Sequence, residues 1–196
     1  TRMGGINKQF LELDGAPVIV NTITIFQRCH MIDEIIIVTR ESEIDAVAKL
    51  VEKHDFYKVN NIVAGGETRQ LSVYEGVTST SNITDLVVIH DGARPLVTVK
   101  VIEETIKAAA EFGAAATGVK VKDTVKVVDD NDNIIDTPDR AYMRFIQTPQ
   151  VFEKKLYLDA VNTVKNSQDF TDDCMLIEAY GKTVKFVDGD YENIKI

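Results

Sequence analysis

The sequence predicts a single α/β domain, with helices on both faces of a mostly parallel, twisted sheet and a protruding β-hairpin arm. Short aliphatic runs alternate with segments of helical spacing from residue 18 to residue 112, and a period-two pattern follows. Alternation of this kind is typical of a parallel sheet covered on both sides. A chain of 196 residues is long enough to bury such a core in one domain.

The composition limits the classes of function. Hydrophobic residues make up 44% of the chain and charged residues 27%, and no apolar run approaches the length of a membrane span. The net charge of -9 argues against nonspecific nucleic-acid binding, which depends on basic patches. Cys29 and Cys174 have no metal-ligand spacing, so we expect reduced, buried thiols and a cytoplasmic protein.

The first segment is a polar, glycine-bearing loop, Arg2 to Phe10, that carries the cations Arg2 and Lys8. Such a loop can bring backbone N–H groups and charges against phosphates, although a terminal loop of this kind is usually just solvated. Leu11 to Gly15 then predict a turn, and the apolar positions from Val18 to Phe26 predict a helix.

Two further buried strands are predicted, at Glu34 to Thr39 and at Val59 to Val63. Ser42 is the expected N-cap of the helix between them. After the second strand, two glycines at 65 and 66 precede a helix from Glu67 to Gly76. These glycines permit close approach of a flat ligand, but a tight turn without a ligand explains them equally well.

The aliphatic run Leu86 to Ile89 predicts a strand buried on both faces, and it ends abruptly in the polar segment His90 to Pro95. In open α/β sheets, ligands bind beyond the carboxyl ends of such strands. Asp91 and Arg94 therefore lie where a metal ion or an anionic substrate would bind, although an acid and a base that merely close a turn fit as well. A helix from Val99 to Phe112 follows.

The pattern then predicts a β-hairpin that interrupts the α/β order. Ala114 to Val121 reads as a strand of small residues, Lys122 to Val128 alternates polar and apolar, and Asp129 to Asn133 is a strong turn signal. We expect residues 122–145 to form an arm whose edges and apolar faces need a partner, and hence a homodimer.

The last third returns to α/β elements. Gln147 to Gln150 is predicted as a loop, and helices are expected at Lys154 to Val164 and at Asp172 to Tyr180, the second capped by Thr171. Lys182 to Val187 is the last predicted strand.

Several cations occupy loop or strand-end positions of this acidic chain. Gathered at one sheet edge with an acid for a divalent metal, they suit phosphoryl or nucleotidyl transfer, in which the protein positions reactants and offsets charge. The chain contains no phosphate-loop motif, dinucleotide-binding fingerprint or nucleophile elbow. The cations are Arg2, Lys8, Arg69, Arg94, Arg140 and Lys195.

Nine short motifs together carry a family resemblance over essentially the whole chain. The motifs are Arg2-Met3-Gly4, Asn7-Lys8-Gln9-Phe10, Gly65-Gly66-x-x-Arg69-x-x-Ser72-Val73, His90-Asp91-Gly92-Ala93-Arg94-Pro95, Asp123-Thr124-x-Lys126, Asp139-Arg140, Gln147-Thr148-Pro149-Gln150, Thr171-Asp172-Asp173 and Asn193-Ile194-Lys195. With these motifs in this order, the chain resembles the 2-C-methyl-D-erythritol 4-phosphate cytidylyltransferases of the non-mevalonate isoprenoid pathway.

The resemblance implies a Rossmann-like nucleotidyltransferase fold and a homodimer joined through the 122–145 arm. It also implies transfer of CMP from CTP to methylerythritol phosphate, with release of pyrophosphate and a requirement for Mg²⁺. The attacking phosphate is already ionised at pH 7, so the reaction needs no strong base. The histidines then need no catalytic role, and we expect His90 to be a packing or supporting residue.

The resemblance also assigns catalytic residues. Arg2 and Lys8 match the pair that stabilises charge on the α-phosphate, and Lys195 matches a third cation near the reacting phosphates. Arg140 and Thr148 match groups that hold the acceptor's phosphate, with Arg140 reaching in from the other subunit's arm.

Further matches concern substrate and metal binding. Thr124 lies on the arm and faces the acceptor. Asp91 and Arg94 match contacts to the acceptor and to the ribose or metal, with Asp91 as the one candidate metal ligand, directly or through water. The cytosine pocket is matched by Gly66, Glu67 and Ser72.

Two alternatives stay open, and the chain departs from the family at both ends. Ribitol-5-phosphate cytidylyltransferase shares the scaffold and the reaction, although Gly92-Ala93 and Lys126 fit the methylerythritol enzyme better. A non-catalytic nucleotide-binding or assembly module is a different class, and it would not need the α-phosphate cations. The family pattern has a strand and a glycine-rich loop before Arg2, and a closing helix after Lys195, so we expect residues to be missing there.

Overall fold

A computed structural model describes residues 8–164 and 170–196, which form a mixed α/β fold. The helices are α1 (Val18–Arg28), α2 (Ile44–Lys53), α3 (Arg69–Thr78), α4 (Val99–Phe112), α5 (Lys154–Thr163) and α6 (Asp173–Ala179). The strands are β1 (Glu12–Leu13), β2 (Ala16–Pro17), β3 (Ile35–Thr39), β4 (Val59–Ala64), β5 (Leu86–Ile89), β6 (Ala114–Lys120), β7 (Val127–Val128), β8 (Ile134–Asp136), β9 (Arg144–Glu153) and β10 (Lys185–Asp188). Short 3-10 turns occur at Lys8–Phe10, Glu41–Glu43 and Arg140–Tyr142.

The central sheet has the strand order β10-β6-β9-β5, and β3 pairs with β4 as a separate parallel ladder. β6 is parallel to β10, while β9 runs antiparallel to both of its neighbours, β5 and β6. Strands β5, β6 and β10 therefore share one direction. Three of the four strands therefore run in the predicted common direction, and β9, the reversed strand, makes antiparallel ladders with β5 and β6.

Helices cover both faces of this sheet, as the alternation predicted. Ala114, Ala116 and Phe152 point to a core completed by α3, α5 and α6. Ala115 and Val151 point the other way, to a core completed by α1 and α4. Successive strand residues thus feed two hydrophobic cores, which is the burial expected for a sheet with two covered faces. Within the described ranges, no helix is long and apolar enough to cross a membrane.

The predicted loop at Gln147–Gln150 is wrong, because these residues lie inside strand β9. Ala116 pairs with Gln150 and Gly118 pairs with Ile146, so the three residues 147–149 lie opposite Thr117 alone. This bulge accommodates Pro149, which has no N–H to give to a regular ladder. The proline signalled a break in the chain, but the structure absorbs it as an irregularity within one long strand.

Two predicted helix caps are also wrong. No side-chain cap is present at the start of α2, because the segment around Ser42 forms the 3-10 turn Glu41–Glu43 instead. Helix α6 is capped by Asp172, whose Oδ1 accepts a hydrogen bond from the Met175 N–H at 3.0 Å. The Thr171 hydroxyl, the predicted cap, donates only to the Met175 sulfur. Helix α3 begins two residues later than predicted, after its cap Thr68.

The arm forms a small separate hairpin of β7 and β8, which is shorter than the alternating pattern suggested. The Asp129 carboxylate closes its tip by accepting hydrogen bonds from the N–H groups of Asn131 and Asn133. Large apolar side chains on and beside the arm are exposed to between 40% and 86%; they are Val127, Val128, Ile134, Ile135, Tyr142 and Phe145.

Replacing Asp172 by Ala should lower the free energy of unfolding by about 1 kcal/mol, because α6 loses its N-cap. Asp172→Asn keeps a capping oxygen, and Thr171→Ala removes the hydroxyl that the sequence favoured. Both controls should cost less than Asp172→Ala in urea unfolding. A larger loss from Thr171→Ala than from Asp172→Ala would contradict the observed cap.

Candidate active site

The site begins where β5 ends, with an acid held between two cations. Asp91 Oδ2 lies 3.1 Å from Arg94 Nε and 3.0 Å from Lys195 Nζ. Burial opposes the charge of Asp91, but Lys195 and Arg94 outweigh it and lower the pKa of the carboxyl. The cluster therefore carries one negative and two positive charges at neutral pH. Lys195 is 55% exposed, so its ammonium also faces solvent.

The chain segment that carries Lys195 is docked by a buried amide. Asn193 is fully buried, and its Nδ2 donates to Gln147 Oε1 at 3.2 Å and to the Thr148 carbonyl at 2.9 Å. The Asn193 carbonyl accepts from Arg94 Nη1 at 2.7 Å. These contacts fix the C-terminal segment against β9 and against the loop after β5. The sequence pointed to Asn193 only as part of a motif, because no local pattern distinguishes a docking amide from an exposed one.

Thr148 ties the β9 bulge to the same loop. Its Oγ1 accepts a hydrogen bond from the Asp91 N–H at 3.0 Å and lies 3.0 Å from His90 Nδ1. The side chain is almost buried, with 4% exposed. Its predicted contact with an acceptor phosphate stays a prediction.

Lys8 lies in the 3-10 turn Lys8–Phe10, where the described residues begin. Phe10 packs on the core between α1 and β3, and an added Cβ at Gly92 would lie 3.3 Å from Gln9 Nε2. The turn is therefore seated beside the loop that carries Asp91, with Lys8 half-buried. Arg2 and the rest of the predicted loop, up to residue 7, lie outside the described residues.

The glycine turn after β4 packs closely on α3. A Cβ added at Gly65 would lie 2.7 Å from Ser72 Oγ, and one added at Gly66 would overlap Leu71. The Ser72 hydroxyl donates to the Thr68 carbonyl at 2.9 Å, and Glu67 is exposed. Close packing thus gives these glycines a structural reason, while their role in binding a base stays a prediction.

Arg69, one of the predicted cations, forms an ion pair within the protein. Its Nη2 lies 2.7 Å from Oδ2 of Asp173, a carboxylate that is 2% exposed. Burial opposes the charge of Arg69, but Asp173 outweighs it and raises the pKa of the guanidinium. The Tyr157 hydroxyl donates to the other carboxylate oxygen at 3.2 Å. This ion pair joins the start of α3 to the start of α6, so the charge of Arg69 is largely used within the protein.

The predicted arm residues do not join the cluster within the described part of this chain. Arg140 is exposed, and its Nη1 donates to the Lys122 carbonyl at 2.7 Å, inside the arm. Thr124 is exposed on the same arm. Both side chains are placed where they can contact a second subunit.

The described residues contain no group of three or more His, Cys, Asp or Glu side chains that could hold a metal alone. Asp91 is the one acid of the ion-paired cluster. Mg²⁺ commonly takes one or two carboxylates and completes its shell with water and substrate phosphates. A single carboxylate is therefore compatible with a metal that arrives with a nucleotide.

Comparisons with known proteins cover the whole chain. The family model described as 2-C-methyl-D-erythritol 4-phosphate cytidylyltransferase matches residues 1–196. A relative of that name from Caldanaerobacter subterraneus subsp. tengcongensis is 48% identical over 199 residues, which cover 100% of this chain and 88% of the relative. One from Clostridium botulinum strain Eklund 17B is 45% identical over 197 residues, with the same coverage of 100% and 88%.

Solved structures agree with these relatives. The 4-diphosphocytidyl-2C-methyl-D-erythritol synthase of Anaerococcus prevotii DSM 20548 superimposes with a TM-score of 0.90 at 37% identity, covering 98% of this chain and 85% of that one. The 2-C-methyl-D-erythritol 4-phosphate cytidylyltransferase of Thermus thermophilus gives a TM-score of 0.76 at 25% identity, covering 97% and 87%. The predicted nucleotidyltransferase fold is confirmed, and the chain belongs to the 2-C-methyl-D-erythritol 4-phosphate cytidylyltransferase family.

Proposed function

We propose that this protein transfers the CMP group of CTP to 2-C-methyl-D-erythritol 4-phosphate and releases pyrophosphate. The observation that carries the proposal is the Asp91–Arg94–Lys195 cluster at the end of β5, in a chain that matches the family over residues 1–196. Cations fixed at a strand end suit a reaction in which the protein positions phosphates and offsets transition-state charge.

We assign charge stabilisation to Lys195 of the cluster and to the cations of the N-terminal segment. Lys8, with Arg2, is proposed to act on the α-phosphate, where negative charge develops during in-line attack. Lys195 keeps donors beyond the one that contacts Asp91, because an ammonium has three. It can therefore hold Asp91 and meet a phosphate at the same time.

Substrate orientation falls to the residues around the strand end. Asp91 and Arg94 would orient the acceptor and the ribose, and Thr148 would lie at the acceptor's phosphate. The cytosine would lie against the close-packed turn after β4, formed by Gly66, Glu67 and Ser72.

We propose Mg²⁺ as the cofactor, with Asp91 as its protein ligand, directly or through water. When bound, Mg²⁺ would neutralise part of the charge on the phosphates. Asp91 suits this role because its carboxyl stays ionised at neutral pH.

We also propose a homodimer joined through the 122–145 arm, in which Arg140 and Thr124 serve the partner's site. The exposed apolar side chains of the arm support an interface, because such side chains concentrate at surfaces that a partner covers. A cytoplasmic location is supported by Cys29 and Cys174, which are both free and buried.

The acceptor assay tests the function. Full-length protein with CTP and Mg²⁺ should release pyrophosphate faster with methylerythritol phosphate than with ribitol 5-phosphate. Faster release with ribitol phosphate would assign the protein to the sister activity. No release with either acceptor would favour a non-catalytic nucleotide-binding module.

Lys8→Ala should lower kcat by about 100-fold or more with little change in the KM of the acceptor, as expected when an interaction made mainly in the transition state is lost. Lys49→Ala removes an exposed lysine of α2 and serves as the matched control. A higher KM with unchanged kcat would assign Lys8 to substrate binding instead.

Mixed dimers test whether the arm acts in trans. A heterodimer of one Lys8→Ala subunit and one Arg140→Ala subunit contains one intact site if Arg140 reaches across the dimer. It should then recover roughly half of the wild-type activity. If Arg140 acts within its own subunit, both sites carry one lesion, and purified heterodimers would stay as inactive as the two parents.

A further inference from the structure

His90 is the last residue before the loop that carries Asp91 and Arg94, and it is held on both ring nitrogens. Nε2 lies 3.1 Å from the Arg94 carbonyl oxygen, and Nδ1 lies 3.0 Å from Thr148 Oγ1. The ring also packs against Phe26, with centroids 4.8 Å apart. Packing alone, one of the two roles expected from the sequence, does not require both nitrogens to have partners.

The chemistry of the partners sets the direction of these hydrogen bonds. A carbonyl oxygen only accepts, so Nε2 carries the proton and donates to Arg94. Neither partner of the ring is a carboxylate, so these contacts suit a ring that carries this single proton. Nδ1 of a neutral Nε2–H ring is an acceptor, and the Thr148 hydroxyl therefore donates to it. Thr148 Oγ1 in turn accepts from the Asp91 N–H at 3.0 Å.

We propose that His90 is a positioning residue for the transfer reaction. It closes a one-directional chain of hydrogen bonds that runs from the Asp91 N–H through the Thr148 hydroxyl and the His90 ring to the Arg94 carbonyl. The chain fixes the main chain at both ends of residues 91–94, and thereby the two side chains that this loop presents. The reaction it serves is the proposed CMP transfer, so its kinetic test depends on that function.

This chain of hydrogen bonds also constrains Thr148. A threonine hydroxyl has one proton, and that proton points to His90 rather than to the solvent side. A contact in which Thr148 donates to an acceptor's phosphate therefore requires the hydroxyl to turn away from His90. Linked hydrogen bonds polarise one another, so each end of the chain depends on the other.

Three substitutions test the hydrogen bonds of the two ring nitrogens separately. His90→Phe keeps the packing against Phe26 and loses both hydrogen bonds. His90→Asn places an acceptor as many bonds from Cα as Nδ1, and His90→Gln places a donor as many bonds from Cα as Nε2. His54→Phe is the matched control, because His54 also stacks on a phenylalanine, Phe56, but lies outside the site.

We expect His90→Phe to lower kcat/KM about 10- to 100-fold, measured per folded protein below its Tm, because small misplacements of site groups are costly. His90→Asn and His90→Gln should each recover part of the loss. Thr148→Val already removes the bond that His90→Gln loses, so combining the two should cost little more than Thr148→Val alone. Unchanged kcat and KM in His90→Phe, or fully additive losses in the double variant, would overturn the proposal.

Nitrogen-15 NMR of histidine-labelled wild-type protein at pH 7 tests the chain without any activity, with His90→Asn used to assign the signals. We expect a neutral ring protonated on Nε2, with Nδ1 accepting a hydrogen bond. A ring protonated on Nδ1 or on both nitrogens would overturn the proposal. Failure of the wild-type acceptor assay would overturn the proposed function instead. The NMR spectrum would then still decide whether the chain of hydrogen bonds exists.

Discussion

The contact between Asp91, Arg94 and Lys195 is the constraint on which the site depends. It joins the end of β5 to the C-terminal segment, across slightly more than half of the chain. The side chains of Asp91 and Arg94 are only 18% and 14% exposed, so removal of one partner would leave a poorly solvated charge without compensation. Their geometry in turn requires the Asn193 amide and the β9 bulge, because these hold the two segments side by side.

The sequence predicted the parts of the fold that depend on local pattern. Helix α4 has the predicted limits, Val99 and Phe112, since the apolar spacing and the glycine that ends the helix are local signals. The aliphatic run of β5 and the polar turn after it located Asp91 and Arg94 for the same reason. The family resemblance added positions such as Lys195, which no local pattern connects with a strand end about 100 residues away.

The errors come from contacts between distant segments. Pro149 signals a loop when only its neighbours are considered, but β6 pairs with the strand on both sides of this proline, and β5 pairs with the part that follows it. The partner of Arg69 was missed for the same reason, because Asp173 lies on another helix. The partners of His90, Arg94 and Thr148, come from the next loop and from a distant strand, so the sequence predicted a packing or supporting role without identifying them.

These pairings also explain how a chain with a net charge of -9 can serve a phosphate-rich substrate. Arg69 is balanced by Asp173, and the Asp91 cluster has a net charge of only one positive unit. Lys8, in the turn that packs beside the 91–94 loop, adds a further positive charge, and Arg2 is proposed to add another, so positive charge is gathered locally in an acidic chain. Selectivity then rests on how accurately the 91–94 loop is held, and that accuracy is the property that the His90 hydrogen bonds control.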